Sequence, residues 1–169
     1  WTVESSLIGG FIEFDSSFPL DGTTPPEDLK VTPKVQVKIP VTSLKSGKKT
    51  MDEVMHDAMN VKQHKMITYV LKEMKPRPSK AGEPLQFDTK GDLTISGVKK
   101  EIDMVVSMEP GEGNKLRTTG SKQLKMTDFG IKPPAPALGL GLIKTGDDVT
   151  VTFEWTTVRK GAKTTASAR

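Results

Sequence analysis

Between Leu29 and Val41 apolar and polar residues alternate almost without interruption, and this period of two constrains the fold more than any other feature of the sequence. Successive side chains of a strand point to opposite faces, so the pattern predicts a strand with one apolar face and one solvated face. Pro33 and Pro40 lack an amide donor, which places them at a bulge, an edge or an end of that strand.

Three further segments show the same alternation: Leu85 to Ile95, Ile102 to Met108, and Val149 to Arg159. The first two are separated by a short connection containing Ser96 and Gly97, which predicts a tight hairpin turn. Strands with one polar face are typical of antiparallel sheets.

The segment from Thr50 to Asn60 has helical spacing instead. It predicts an amphipathic helix that plugs or covers a sheet, with Thr50 as N-cap and Glu53 completing a capping box. Its expected inward residues are Met51, Val54, Met55, Ala58 and Met59, and its expected solvent-side residues are Asp52, Glu53, His56 and Asp57. The run from Met66 to Val70 is apolar on both faces and predicts a central strand.

Many strands, short turns and one helix in 169 residues predict a single all-β domain, a barrel or a sandwich. Its expected extent is residues 1–159, followed by a basic, disordered tail at 160–169; the alternative for the tail is a phosphate-binding arm. The start at Trp1, without methionine, leads us to expect either that a targeting segment was removed or that the chain is incomplete.

Composition argues against several classes of function. The chain has no cysteine and two histidines, and only 5% of its residues are aromatic, which is too few for a nucleic-acid stacking platform. Its 25 Lys and Arg residues are scattered among 21 Asp and Glu residues, and no run of apolar residues is long enough for a transmembrane helix. His56 follows Asp52 by one helical turn, but a metal site usually needs a third ligand. We therefore expect no enzyme, no metal site and no nucleic-acid partner.

The segment from Phe129 to Ile143 is a Pro- and Gly-rich loop with an unusual number of apolar residues, among them Ile131, Leu138 and Leu140. Such a loop either folds onto the core or forms a wall of an apolar cavity. The sequence leaves these two alternatives open.

Three blocks of sequence resemble the YceI-like family. They are VTSLKSGKKTMDEVMHDAMNVKQHKMITY (residues 41–69), GDLTISGVKKEIDMVV (residues 91–106), and LKMTDFGIKPP (residues 124–134) followed by GDDVTVTFEW. The blocks lie in the family's order and extend the resemblance from about Val35 to Thr157.

The resemblance implies a lipocalin-like antiparallel β-barrel of about eight strands, periplasmic or secreted, whose interior holds a polyisoprenoid, a quinone or a similar lipid. It implies carriage or sequestration of that lipid without a catalytic cofactor. Members of the family place another strand before the position of Trp1, and its absence would leave an open edge. The open edge supports a second hypothesis, in which the protein forms a homodimer or is a structural subunit that docks on a larger extracytoplasmic assembly.

In a closed barrel of this size the inward residues form both core and cavity wall. Lys125, Lys132 and Lys144 flank the apolar loop and are candidates for neutralising an anionic head group. The candidate ligand-binding residues are Val35, Val37, Ile39, Ile67, Tyr69, Leu71, Leu93, Ile95, Ile102, Met104, Val106, Ile131, Leu138, Leu140, Val151, Phe153 and Trp155.

Overall fold

The structure, a computed structural model, describes residues 2–14, 33–78, 80, 82–134 and 146–158. This part of the chain contains seven strands and one helix, α1 (Lys49–Ala58). Short 3₁₀ turns lie at Val41–Ser43, Glu112–Asn114 and Met126–Phe129. The strands are β1 (Gly9–Glu13), β2 (Lys34–Pro40), β3 (Met66–Pro76), β4 (Leu85–Ile95), β5 (Val98–Gly111), β6 (Lys115–Lys125) and β7 (Asp148–Val158).

The strands form one antiparallel sheet in sequence order from β1 to β7, which confirms the predicted all-β class. The predicted hairpin between β4 and β5 is also confirmed. Ser96 and Gly97 have φ of 50° and 78°, the left-handed conformation that a two-residue type I′ turn requires at both positions. The sheet curls into a half-barrel, and within the described residues β1 and β7 are its edges.

The strand register defines two faces of this sheet. Val37, Tyr69 and Leu93 are direct cross-strand neighbours and lie on the concave side, which we call the inner face. On β2, Val37 is half-buried whereas Lys34 and Lys38 are exposed. The predicted alternation is therefore confirmed for the described part of its segment; Leu29 and Val31 lie outside the described residues.

Two groups of buried residues form the core. The far cluster lies toward the Leu85 end of β4, and the helix-side cluster lies toward the end at which α1 packs. The far cluster consists of Met74, Leu85, Phe87, Val106 and Met108; the helix-side cluster consists of Val41, Met59, Phe129 and Ile131.

The predicted helix is present, but the prediction assigned two of its residues to the wrong side. Asp52 is only 8% exposed, and Val54 is 47% exposed. Asp52 is buried because Ser46, in the preceding loop, donates two hydrogen bonds to its carboxylate, both of 2.7 Å. The cap also differs: Lys48 is the N-cap residue, without a side-chain hydrogen bond, and Thr50 lies inside the helix.

The predicted central strand is confirmed as β3, which lies between β2 and β4. It continues to Pro76 through a register shift between Leu71 and Glu73. One extra residue at a bulge exchanges the two faces of a strand, and for this reason Met74, at an even position, is buried in the far cluster.

Candidate ligand-binding face

The inner face brings together the strand residues that the sequence singles out as ligand contacts. Residues that are paired on neighbouring strands point to the same face. One such row, from β4 to β7, consists of Phe87, Val106, Gly120 and Phe153. Their contact with a ligand stays a prediction. The residues that share the face are Val35, Val37, Ile39, Ile67, Tyr69, Leu71, Leu93, Ile95, Ile102, Met104, Val106, Val151, Phe153 and Trp155.

These residues are not equally enclosed. Val106 and Trp155 are buried, whereas Val151 is 42% exposed. Val151 lies on the inner face as predicted, but its side chain is not buried. The reason is that β7 is an edge of the described sheet and that Val151 pairs with Lys122 rather than with an apolar residue. On β7 the inner face is therefore more exposed at Val151 than at Trp155.

The apolar loop is described only in part. Ile131 is 6% exposed and packs in the helix-side cluster, so this residue folds onto the core. Leu138 and Leu140 lie outside the described residues, and their assignment to the ligand wall stays a prediction.

The sequence gives no alternation signal for β6, although this strand contributes to the inner face. Its inward positions include Thr118, Gly120 and Lys122, and none of these side chains is apolar. A Cβ atom at Gly120 would lie 2.5 Å from Cε1 of Phe153. The aromatic ring of β7 thus covers the surface that the glycine leaves open.

Two hydroxyl groups are buried on the inner face. Tyr69 Oη and Thr118 Oγ1 have no hydrogen-bond partner among the described residues. Burial raises the pKa of Tyr69, and the nearby Thr89 hydroxyl, outside hydrogen-bond geometry, offsets only part of that rise. The phenol is therefore neutral at physiological pH, and both hydroxyls can hydrogen-bond to an oxygen atom of a ligand.

The lysines proposed for an anionic head group differ in their surroundings. Lys125 Nζ lies 3.1 Å from Asp148 Oδ1, and this hydrogen bond raises the pKa of Lys125. Its charge is already balanced by Asp148. Lys132 is exposed, and Lys144 lies outside the described residues.

The candidate metal pair takes part in loop contacts instead. His56 Nε2 lies 3.0 Å from the carbonyl oxygen of Leu44, and Asp52 accepts its hydrogen bonds from Ser46. In the described ranges, no three His, Cys, Asp or Glu side chains are grouped as metal ligands would be. No helix within those ranges is long and apolar enough to cross a membrane.

Comparison with solved structures shows the same fold at low sequence identity. A YceI protein of Campylobacter jejuni superimposes with a TM-score of 0.67 at 19% identity, covering 94% of this chain and 85% of that protein. BcnA of Burkholderia cenocepacia gives a TM-score of 0.67 at 17% identity, covering 92% and 87%. A polyisoprenoid binding domain of Saccharophagus degradans gives a TM-score of 0.60 at 16% identity, covering 73% and 75%.

Sequence comparison places the chain in a family. A UPF0312 protein of Pseudomonas aeruginosa is 31% identical over 135 residues, which are 76% of this chain and 65% of that relative. Protein YceI of Escherichia coli O157:H7 is 29% identical over 135 residues, with the same coverage. The chain thus spans about 65% of the length of these relatives. The family model of the YceI-like domain matches residues 1–157, and the chain belongs to the YceI-like family.

Proposed function

We propose that the inner face binds the hydrocarbon chain of an isoprenoid-type lipid, such as a polyprenol or a prenylated quinone, and that the protein carries or sequesters this lipid without chemical conversion. The observation that supports the proposal most is the register, which gathers the alternating apolar residues of β2–β5 and β7 on one concave face. A concave face that is mostly apolar matches the shape and polarity of a prenyl chain.

The distribution of charge supports the same proposal. Most of the described ion pairs between strands join residues on the outer face; Lys72 Nζ, for example, lies 2.7 Å from Asp92 Oδ1 and 3.0 Å from Glu101 Oε2. The solved polyisoprenoid binding domain of Saccharophagus degradans has a similar fold. We extend its ligand class to this chain, together with the periplasmic or secreted location that the family resemblance implies.

Binding is tested with purified protein and a fluorescent prenyl alcohol. We expect saturable binding at one site per chain, and native mass spectrometry of protein purified without detergent should show a co-purified lipid. The absence of both would overturn the proposal. It would favour the second hypothesis, in which the same half-barrel docks through its strand edges on a larger assembly.

Two phenylalanines provide a matched pair of variants. Phe153 lies half-buried on the inner face, whereas Phe11 lies on the outer face of β1 and is 49% exposed. Phe153→Leu should weaken binding by about 1 kcal/mol, roughly a fivefold rise in Kd, while stability falls by less than about 1.5 kcal/mol. Phe11→Leu should leave Kd unchanged. Equal effects of the two substitutions would place the ligand elsewhere.

A further inference from the structure

β5 and β6 are paired over only part of their length. The ladder joins residues 106–111 to residues 115–120 and stops at the pair formed by Val106 and Gly120. Beyond this pair, residues 98–105 of β5 pair only with β4, and residues 121–125 of β6 pair only with β7. The two strands therefore diverge within the sheet, and a cleft of about 400 Å³ lies between them.

The cleft is closed at its other end. The 3₁₀ turn Met126–Phe129 follows β6 directly, and a Cβ atom at Gly130 would lie 3.7 Å from Cγ2 of Val98, at the start of β5. The opening is thus bounded by the paired ladder at one end and by this turn at the other. We call it the β5–β6 window.

The lining of the window changes from charged to apolar. Lys100, Glu101 and Asp128 contribute charges of both signs. Ile102 and Leu124 point to the inner face by register, and the lining also includes Phe129 of the helix-side cluster. The mixed charges give no preference for an anionic group, whereas the apolar residues connect the window to the inner face.

One ion pair spans the window. Lys122 Nζ on β6 lies 3.1 Å from Asp103 Oδ2 on β5. By register Lys122 belongs to the inner face and Asp103 to the outer face, so the lysine side chain reaches across the gap between the strands. The Asp103 side chain is 79% exposed, and ion pairs that meet water are weak and break readily.

We propose that the β5–β6 window is the lateral passage through which the apolar chain of the ligand reaches and leaves the inner face, with the Lys122–Asp103 ion pair as its latch. This inference rests on the proposed function. Along the β4–β5 and β6–β7 ladders, in contrast, the strands are joined without interruption by backbone hydrogen bonds, which a chain passing sideways would have to break. At the window it has to displace one exposed ion pair and water.

A covalent latch tests this passage. Because the chain has no cysteine, Asp103→Cys combined with Lys122→Cys can be joined selectively by a short bis-maleimide, to which each thiol adds to form a thioether. The control variant carries Glu109→Cys and Arg117→Cys and is joined in the same way. In the wild type these two residues form an ion pair of 3.2 Å between β5 and β6, at a point where the two strands are paired. Stopped-flow measurements give the association and dissociation rates of a fluorescent prenyl alcohol.

We expect the joined window variant to bind and release the lipid about tenfold more slowly, at a nearly unchanged Kd, because a blocked passage changes rates rather than the bound state. The joined control should keep both rates. Saturable binding with unchanged rates in the joined window variant would overturn the proposed passage but leave the proposed function standing. Absence of binding in the unmodified protein would overturn the proposed function and the passage with it.

Single substitutions test the latch in the opposite direction. Lys122→Met removes the ammonium and should accelerate both association and dissociation, whereas Arg117→Met, at the closed end of the ladder, should change neither. Slower exchange or no change in Lys122→Met would show that the ion pair does not control entry.

Discussion

The ring of Tyr69 on β3 lies directly against the backbone of Gly91 on β4. A Cβ atom at position 91 would lie 2.5 Å from both Cζ and Oη of the ring, and 2.6 Å from the carbonyl oxygen of Val70. Real Cβ atoms do not approach other atoms this closely, so the absence of a side chain at Gly91 is what allows the ring to occupy this part of the inner face.

We therefore expect Gly91→Ala to lower the free energy of unfolding by about 1–3 kcal/mol, since the ring or the strand has to move. Gly9→Ala is the matched control in β1, because its Cβ would meet the carbonyl oxygen of Lys38 at an ordinary 3.7 Å. Urea denaturation of both variants measures the difference. Equal stability of the two would show that Tyr69 moves away at no cost.

The sequence predicted which strand residues share the inner face because alternation records the orientation of each side chain directly. It did not predict β6, because the inward positions in the middle of this strand, Thr118, Gly120 and Lys122, are polar or small; the inward apolar residues, Leu116 and Leu124, lie near its two ends. The signal for Gly120 lies on the neighbouring strand, where Phe153 fills the space above it. Such a signal becomes visible only once the strands are paired.

The orientation of Asp52 was missed for a similar reason. A helical wheel assigns a carboxylate to the solvent side, but Ser46, six residues earlier, folds back and provides the hydrogen bonds that allow burial. The β5–β6 window also has no counterpart in the sequence pattern, because the alternation of β5 continues unchanged through its unpaired half.

Replacing Asp52 should reveal a pH-dependent contribution to stability. Hydrogen bonds from the hydroxyl and the backbone amide of Ser46 hold the pKa of Asp52 below its usual range. A lowered folded-state pKa means that the stabilisation is present above the unfolded-state pKa and is lost as pH falls through the folded-state value. Asp52→Asn should therefore be less stable than the wild type at neutral pH, and the difference should shrink below about pH 4.

Asp57→Asn provides the control for this pH series, because Asp57 lies exposed on the same helix. Thermal unfolding from pH 7 to pH 3 gives the difference between each variant and the wild type. A constant difference for Asp52→Asn over that range would mean that protonation leaves the contact with Ser46 intact.

Two substitutions at Val54 distinguish the contribution of the helix backbone to stability from that of the side chain. Because Val54 is 47% exposed in the middle of α1, Val54→Ala removes little buried surface and should change stability by less than about 0.5 kcal/mol. Val54→Pro keeps the position apolar but removes a backbone donor and clashes with the preceding turn, at a cost of about 3 kcal/mol. Similar stabilities of the two variants, measured by urea denaturation, would contradict the helix.

Tyr69 Oη and Thr118 Oγ1, which have no hydrogen-bond partner in the described part of the chain, lead to a prediction of increased rather than decreased stability. A buried hydroxyl without a partner costs about 1–3 kcal/mol, so removing it from the ligand-free protein should raise stability. Tyr69→Phe deletes only Oη, and Thr118→Val replaces Oγ1 by a methyl group of similar volume. We expect each variant to unfold at a higher urea concentration than the wild type.

The two positions control for each other because their surroundings differ. Tyr69 lies near the Thr89 hydroxyl, which donates its own hydrogen bond to the carbonyl oxygen of Met104 at 2.9 Å, whereas Thr118 pairs with Met108 and Trp155. If Tyr69→Phe is less stable than the wild type while Thr118→Val is more stable, then Tyr69 Oη forms a hydrogen bond to Thr89 in solution. If both variants are less stable, ordered water occupies the inner face, and an incoming lipid chain has to displace it.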